Sequence, residues 1–140
     1  MKERSPAQID GKPLLEVENL NVAYGHVSAL SGVSLQVHAG EAVALVGANG
    51  AGKTTLFRAI VGQLKPRSGA IRISGHSITG YWAERRIRMG LGYAPEGRRV
   101  FPGLSVRENL EVAVFGGRID RSELIDFAFE LFPALKERQH

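Results

Sequence analysis

Cysteine is absent from the 140 residues. That excludes a disulfide framework and a thiolate metal site, and it fits a reducing compartment. Long apolar runs are missing as well: none reaches the ~20 residues needed to cross a bilayer. The opening stretch MKERSPAQIDGKP has no apolar segment of the kind a secretory signal requires, so residues 1–13 read as a short polar lead-in. Neither an internal repeat nor a low-complexity tract is visible. Charge of one sign is only slightly in excess, with 18 Lys and Arg against 14 Asp and Glu, a formal net charge of +4. That excess is too small for composition alone to choose between an acidic protein, a lipid surface and a nucleic acid. No nucleic-acid recognition element accompanies it, so nucleic acid is not expected as a partner. His26, His38, His76 and His140 are isolated in the sequence and are assigned no chemistry.

What is present suits one globular domain with a real core: 44% of residues are apolar and 23% charged. Alternation predicts edge-type strands near residues 14–17 and 22–24. Val33, Leu35 and Val37, alternating with Ser34, Gln36 and His38, predict a strand with one buried face. Residues 42–46 are continuously apolar, as expected of a central strand covered on both faces. A helix follows, with Leu56, Ile60 and Leu64 four apart, and Pro66 is expected to stop it. A short strand begins at Ala70 between Gly69 and Gly75, and a helical turn precedes Gly90. Another brief strand is expected at residues 91–95. Ser105 with Glu108, and Asp120 with Glu123, have the spacing of capping boxes that open two further helices. The final polar residues are expected to fray. The plan is mixed α/β, with an antiparallel part leading into a parallel core.

One stretch has chemistry written into it. GANGAGKTT, starting at Gly47, fits G-x-x-x-x-G-K-T between a buried strand and an amphipathic helix. Gly47, Gly50 and Gly52 allow turns that a side chain would block. The amides can then point inward as an anion nest, helped by the positive end of the helix. Lys53 is placed to meet β and γ phosphates as a point charge, and Thr54 to offer its hydroxyl to magnesium. Thr55 falls near an α phosphate. A dinucleotide fingerprint fits less well, because G-x-G-x-x-G is absent. The loop does not choose the base. Tyr24 is the aromatic best placed to stack on one, whereas Trp82 suits packing or a partner-facing role. Arg85, Arg86 and Arg88 read as a solvated helix face.

From residue 14 through Gly75, the sequence resembles the opening half of an ABC-transporter ATPase subunit. The continuation LGYAPEGRRVFPGLSVRENLEV is more narrowly similar to branched-chain amino acid importers, whose ATPase subunits have a similar Pro-Glu-Gly-Arg-Arg stretch before Phe-Pro. The resemblance covers nearly everything after the lead-in. It implies a P-loop NTPase fold of ABC type over residues 14–140, truncated, with an antiparallel β portion and an incomplete parallel core. By the same resemblance, Tyr24 stacks on adenine, and Gly47, Ala48, Asn49, Gly50, Ala51, Gly52, Lys53, Thr54 and Thr55 cradle the phosphates of ATP. Glu96 stands where most of the family has a glutamine that senses Mg2+ and the attacking water. A carboxylate can still face magnesium, though it cannot donate as an amide does. Lys53 and Glu96 are thus the implied catalytic residues, and Thr54 and Glu96 the implied metal contacts.

The implied activity is ATP hydrolysis energising import of branched-chain or related amino acids. Its implied setting is the cytoplasmic face of a membrane, peripherally, beside transmembrane permease subunits, a second ATPase subunit and, indirectly, a solute-binding protein. Arg98, Arg99, Phe101 and Leu104 would face the permease, as an apolar and basic mixture suits an interface. The 140 residues contain no LSGGQ-type signature, no second apolar strand ending in Asp-Glu and no switch histidine. Phosphoryl transfer to water needs a positioned water as well as charge neutralisation. The expectation is therefore a fragment or truncated product, incomplete for turnover and poorly stable alone. The alternative is a nucleotide-binding or interaction module without turnover, docking on a permease or partner ATPase.

Overall fold

In a computed structural model the described residues are 11–97, 99–114 and 120–138. They divide into a first unit ending at Arg86 and a second beginning at Ile87. The first unit is built on a four-stranded sheet. Its strands are β1 (Leu15–Tyr24), β2 (Val27–Val37), β3 (Ser68–Ile73) and β4 (His76–Ser77), in the order β2-β1-β3-β4. Every pairing is antiparallel. The two edge strands expected at residues 14–17 and 22–24 are one strand. Its register against β2 shifts between Val17 and Leu20 and again between Leu20 and Val22, and Asn19 takes a φ of 45° at the irregularity. A β-bulge interrupts the alternation, so sequence periodicity alone divides the strand in two. On β2, Val33, Leu35 and Val37 are half-buried and Ser34 and Gln36 exposed, as the alternation predicts.

Helix α1 (Lys53–Val61) lies against β1 and β2. Leu56, Ala59, Ile60 and Val61 are buried with Val17, Leu20, Val22, Leu30, Ile71 and Ile78 as the core. Each large aliphatic so enclosed contributes roughly 1.5–3 kcal/mol. The helix does not run on to Pro66. It ends at Gly62, whose φ of 83° is left-handed and whose N–H turns back to Ala59 and Arg58 carbonyls.

Just beyond, α2 (Ala83–Arg88) sends Arg86 back toward that end. The arginine cluster is not a solvated face at this position. Arg86 is 1% exposed. It donates to the carbonyls of Ala59 and Ile60 at 2.8 and 2.7 Å, and to those of Tyr81 and Thr79 at 2.8 and 3.0 Å. The guanidinium therefore satisfies last-turn carbonyls that a helix cannot bond internally. Its charge also suits the negative end of the helix. Arg85 stands over the Tyr81 ring at 3.7 Å.

Residues 42–46 overturn an expectation. They form no strand, and Val46 is 95% exposed. Residues 91–95 likewise belong to no ladder. A strand exists through its neighbours' N–H and C=O groups, and no described segment pairs with either stretch. Local apolar content marks a strand fit to be central but does not supply its partners.

In the second unit, α3 (Val106–Ala113), α4 (Arg121–Leu131) and α5 (Pro133–Lys136) follow one another. The capping box at Ser105 is complete: Glu108 N–H donates to Ser105 Oγ and Ser105 N–H to Glu108. At Asp120 only the cap forms, to Ser122 N–H, and Glu123 does not reach back. The tail expected to fray begins instead as α5, because Pro133 sits at a helix start where its missing N–H is harmless. Among the described residues no helix is long and apolar enough to cross a membrane.

Replacing Arg86 by Met keeps the length and removes every donor. Unmet buried carbonyls predict a loss of about 3 kcal/mol, read as a lower urea midpoint. Arg85→Ala should cost less than about 1 kcal/mol.

Candidate functional site

The site is built where the chain enters α1. Gly52 is the N-cap, with φ 89°, and has no side chain to cap the helix. No acidic residue stands in the first turn. The leading amides and the positive helix end are therefore left facing the loop, which is the arrangement that attracts an anion. Gly50, with φ 84°, gives the loop its other left-handed turn. At Gly52 a Cβ would lie 2.6 Å from Leu30 Cδ2 and 3.0 Å from the Ala29 carbonyl. The glycine is thus required twice, by its dihedral and by its close approach to β2. Gly47 has no positive φ. Its constraint is contact, since a Cβ there would come 3.2 Å from Ala51 Cβ.

Lys53 closes the loop on itself. Its Nζ donates to the carbonyls of Gly47 at 2.6 Å and Ala48 at 2.8 Å. Ala51 N–H donates to Ala48 across the turn at 3.2 Å. The ammonium is held at the loop, where a phosphate chain would meet it. Thr54 is exposed, and Thr55 is buried on the sheet side of α1. Tyr24 ends β1 and is 45% exposed, and its hydroxyl is 3.4 Å from Thr55 Oγ1. Hydrogen bonds from Thr55 first, then Arg58, hold that hydroxyl below the usual tyrosine pKa.

The structure thus brings Tyr24, Lys53 and Thr55 together around the loop spanning Gly47 to Gly52. Glu96 is exposed in a bend of the second unit. Trp82 is 71% exposed, which leaves packing out and the partner-facing alternative open. Arg98 lies outside the described residues, as does His140. Phe101 and Leu104 are exposed and line an open apolar groove of about 600 Å³ with Val100, Pro102, Leu110 and Leu135. Asn109 shapes its rim, bonding Phe101 N–H and the Phe101, Leu104 and Ser105 carbonyls. Sequence reasoning passed over Asn109 and Arg58. Arg58 could have been found from its spacing, three residues after Thr55 on one helix face.

Residues 30–139 match the protein family described as ABC transporter. The chain belongs to that family. It is 41% identical over 126 residues to the high-affinity branched-chain amino acid transport ATP-binding protein BraG of Pseudomonas aeruginosa, covering 89% of this chain and 54% of BraG. The ribose import ATP-binding protein RbsA of a Ruegeria species is 37% identical over 117 residues, which is 84% of this chain and 22% of RbsA. A solved ATP binding subunit of an ABC transporter superposes with a TM-score of 0.74 at 34% identity, covering 90% of this chain and 52% of that one. The fold is therefore the α/β P-loop fold of ABC ATP-binding domains, and the chain spans about half the length of the curated relatives it matches.

This ABC-family loop fits a phosphate chain: two left-handed glycines, uncapped amides and one ammonium converge on it. Gly52→Ala should strain the backbone and push on β2. We expect a loss of about 2 kcal/mol or more in chemical denaturation.

Proposed function

We propose that residues 14–140, behind the lead-in at 1–13, are the first part of a nucleotide-binding domain that holds ATP with Mg2+. The observation that supports this most is the glycine loop closed by Lys53 at the start of α1, with Tyr24 beside it. In this reading the amides of residues 47–52 take the phosphate oxygens, and Lys53 lies against the β and γ phosphates. Thr55 stands near the α phosphate, and Tyr24 stacks on adenine. Thr54 and Glu96 hold the metal, Glu96 directly or through water. Bound magnesium would supply charge neutralisation on the terminal phosphates. In this reading a hydroxyl, one carboxylate and the phosphates themselves would be the ligands.

For the protein as a whole, the reading is hydrolysis of ATP to energise import of branched-chain or related amino acids. The similarity to BraG and the segment Pro95-Glu96-Gly97-Arg98-Arg99 before Phe101-Pro102 support that solute class. RbsA, named for ribose import, is similar enough that the solute rests on those features alone. The protein would sit peripherally at the cytoplasmic membrane face, paired with a second ATPase subunit and served indirectly by a solute-binding protein. Its permease contact would include Arg99, Phe101 and Leu104. Deleting the gene should lower uptake of labelled leucine and leave ribose uptake unchanged. The reverse pattern rejects the solute assignment.

A second reading is a nucleotide-binding or interaction module with no turnover of its own. Phosphate release from ATP by the 140-residue chain, abolished by Lys53→Ala, would rule this out. Its absence, with ATP binding retained, is what the module predicts.

A further inference from the structure

Tyr24 is the last paired residue of β1, opposite Val27 at the mouth of the β1–β2 turn. Gly25, with φ 56°, opens that turn. A residue from another part of the chain holds the backbone on both sides of the tyrosine. The Arg67 N–H donates to the Asn21 carbonyl at 2.8 Å, before Tyr24 in the strand. The Arg67 guanidinium donates through Nη2 to the Gly25 carbonyl, just after it. Arg67 directly precedes β3, whose Ser68 stands opposite Asn21 in the ladder. The arginine therefore reaches the turn from a backbone already fixed to β1. On another side the Tyr24 hydroxyl lies 3.4 Å from Thr55 Oγ1 of α1. The end of a strand pair is where a ladder opens most readily. An exposed ring carried there would lose freedom when a base settles on it. A strand end already tied down avoids that cost, which is the general benefit of preorganisation.

We propose that Arg67 is a positioning residue for the nucleotide base: by bridging the Asn21 and Gly25 carbonyls it holds the β1–β2 turn, and Tyr24 with it, ready to stack. This rests on the reading that Tyr24 meets the base of ATP bound at the glycine loop. Arg67→Met keeps the backbone bond and the length of the side chain and removes the guanidinium donors. Arg67→Lys keeps a charged donor. Position 67 is exposed, so neither change threatens the core.

The test compares Mg-ATP with magnesium tripolyphosphate, which has the phosphates and no base, by titration calorimetry on the 140-residue chain. Arg67→Met should weaken ATP about threefold to fivefold, the scale of one net hydrogen bond, and leave tripolyphosphate within about 1.5-fold of the parent. Arg67→Lys should recover most of the loss. In a Tyr24→Ala background Arg67→Met should weaken ATP no further, because it acts through the ring. Equal losses for both compounds would make Arg67 a phosphate ligand or a general support and overturn the inference. A further loss in the Tyr24→Ala background would mean that Arg67 meets the base itself, which also overturns it. So would an Arg67→Met variant that matches the parent while Tyr24→Ala weakens ATP. A parent that binds both compounds equally removes the contact between Tyr24 and the base, and one that binds neither removes the nucleotide-binding reading. Either result takes the inference with it.

Discussion

Backbone groups at the two ends of α1 impose opposite demands, and the first unit is arranged around meeting both. The leading N–H groups of a helix have no internal partners, and nor do the trailing carbonyls. At the start of α1 a glycine cap leaves the amides to an anion. At its end a buried guanidinium takes two carbonyls, and two more come from the chain before α2. The same helix is thus left open at its positive end and closed at its negative end. A phosphate site needs a helix whose far end is secure, since movement there would be transmitted to the loop through a rigid element.

The sheet meets a different requirement. Three long strands and a short one close an antiparallel ladder around a small aliphatic core, with α1 packed on it. The chain then leaves that sheet at β2 and reaches the glycine loop through residues 42–46, which pair with no described segment. Helix-side anchoring is therefore what holds the loop here: Gly52 against β2, Lys53 across the loop, and Tyr24 against Thr55.

Legibility from sequence followed the range of each interaction. The loop, the helix after it, the Ser105 capping box and the alternation on β2 are local patterns, and the structure repeats them. So was the antiparallel opening, because hairpins join neighbours in sequence. Long-range dependence is where reading stopped. Residues 42–46 look central, but centrality belongs to neighbours that no local pattern provides. Arg86 sits in a run of charge that reads as solvated, and only the fold reveals that it points at carbonyls 26 and 27 residues earlier. In the site, Tyr24 and Thr55 are 31 residues apart and meet through the β1–α1 packing. Among the described residues no contact of Glu96 bears on its role.

The most direct measurement is calorimetric titration of Mg-ATP into the 140-residue chain beside its Lys53→Ala variant. The account predicts saturable one-to-one binding by the parent and a loss of at least about tenfold in the variant, since a charge-assisted contact to the phosphates is removed. Equal binding by both, or none by the parent, would contradict it.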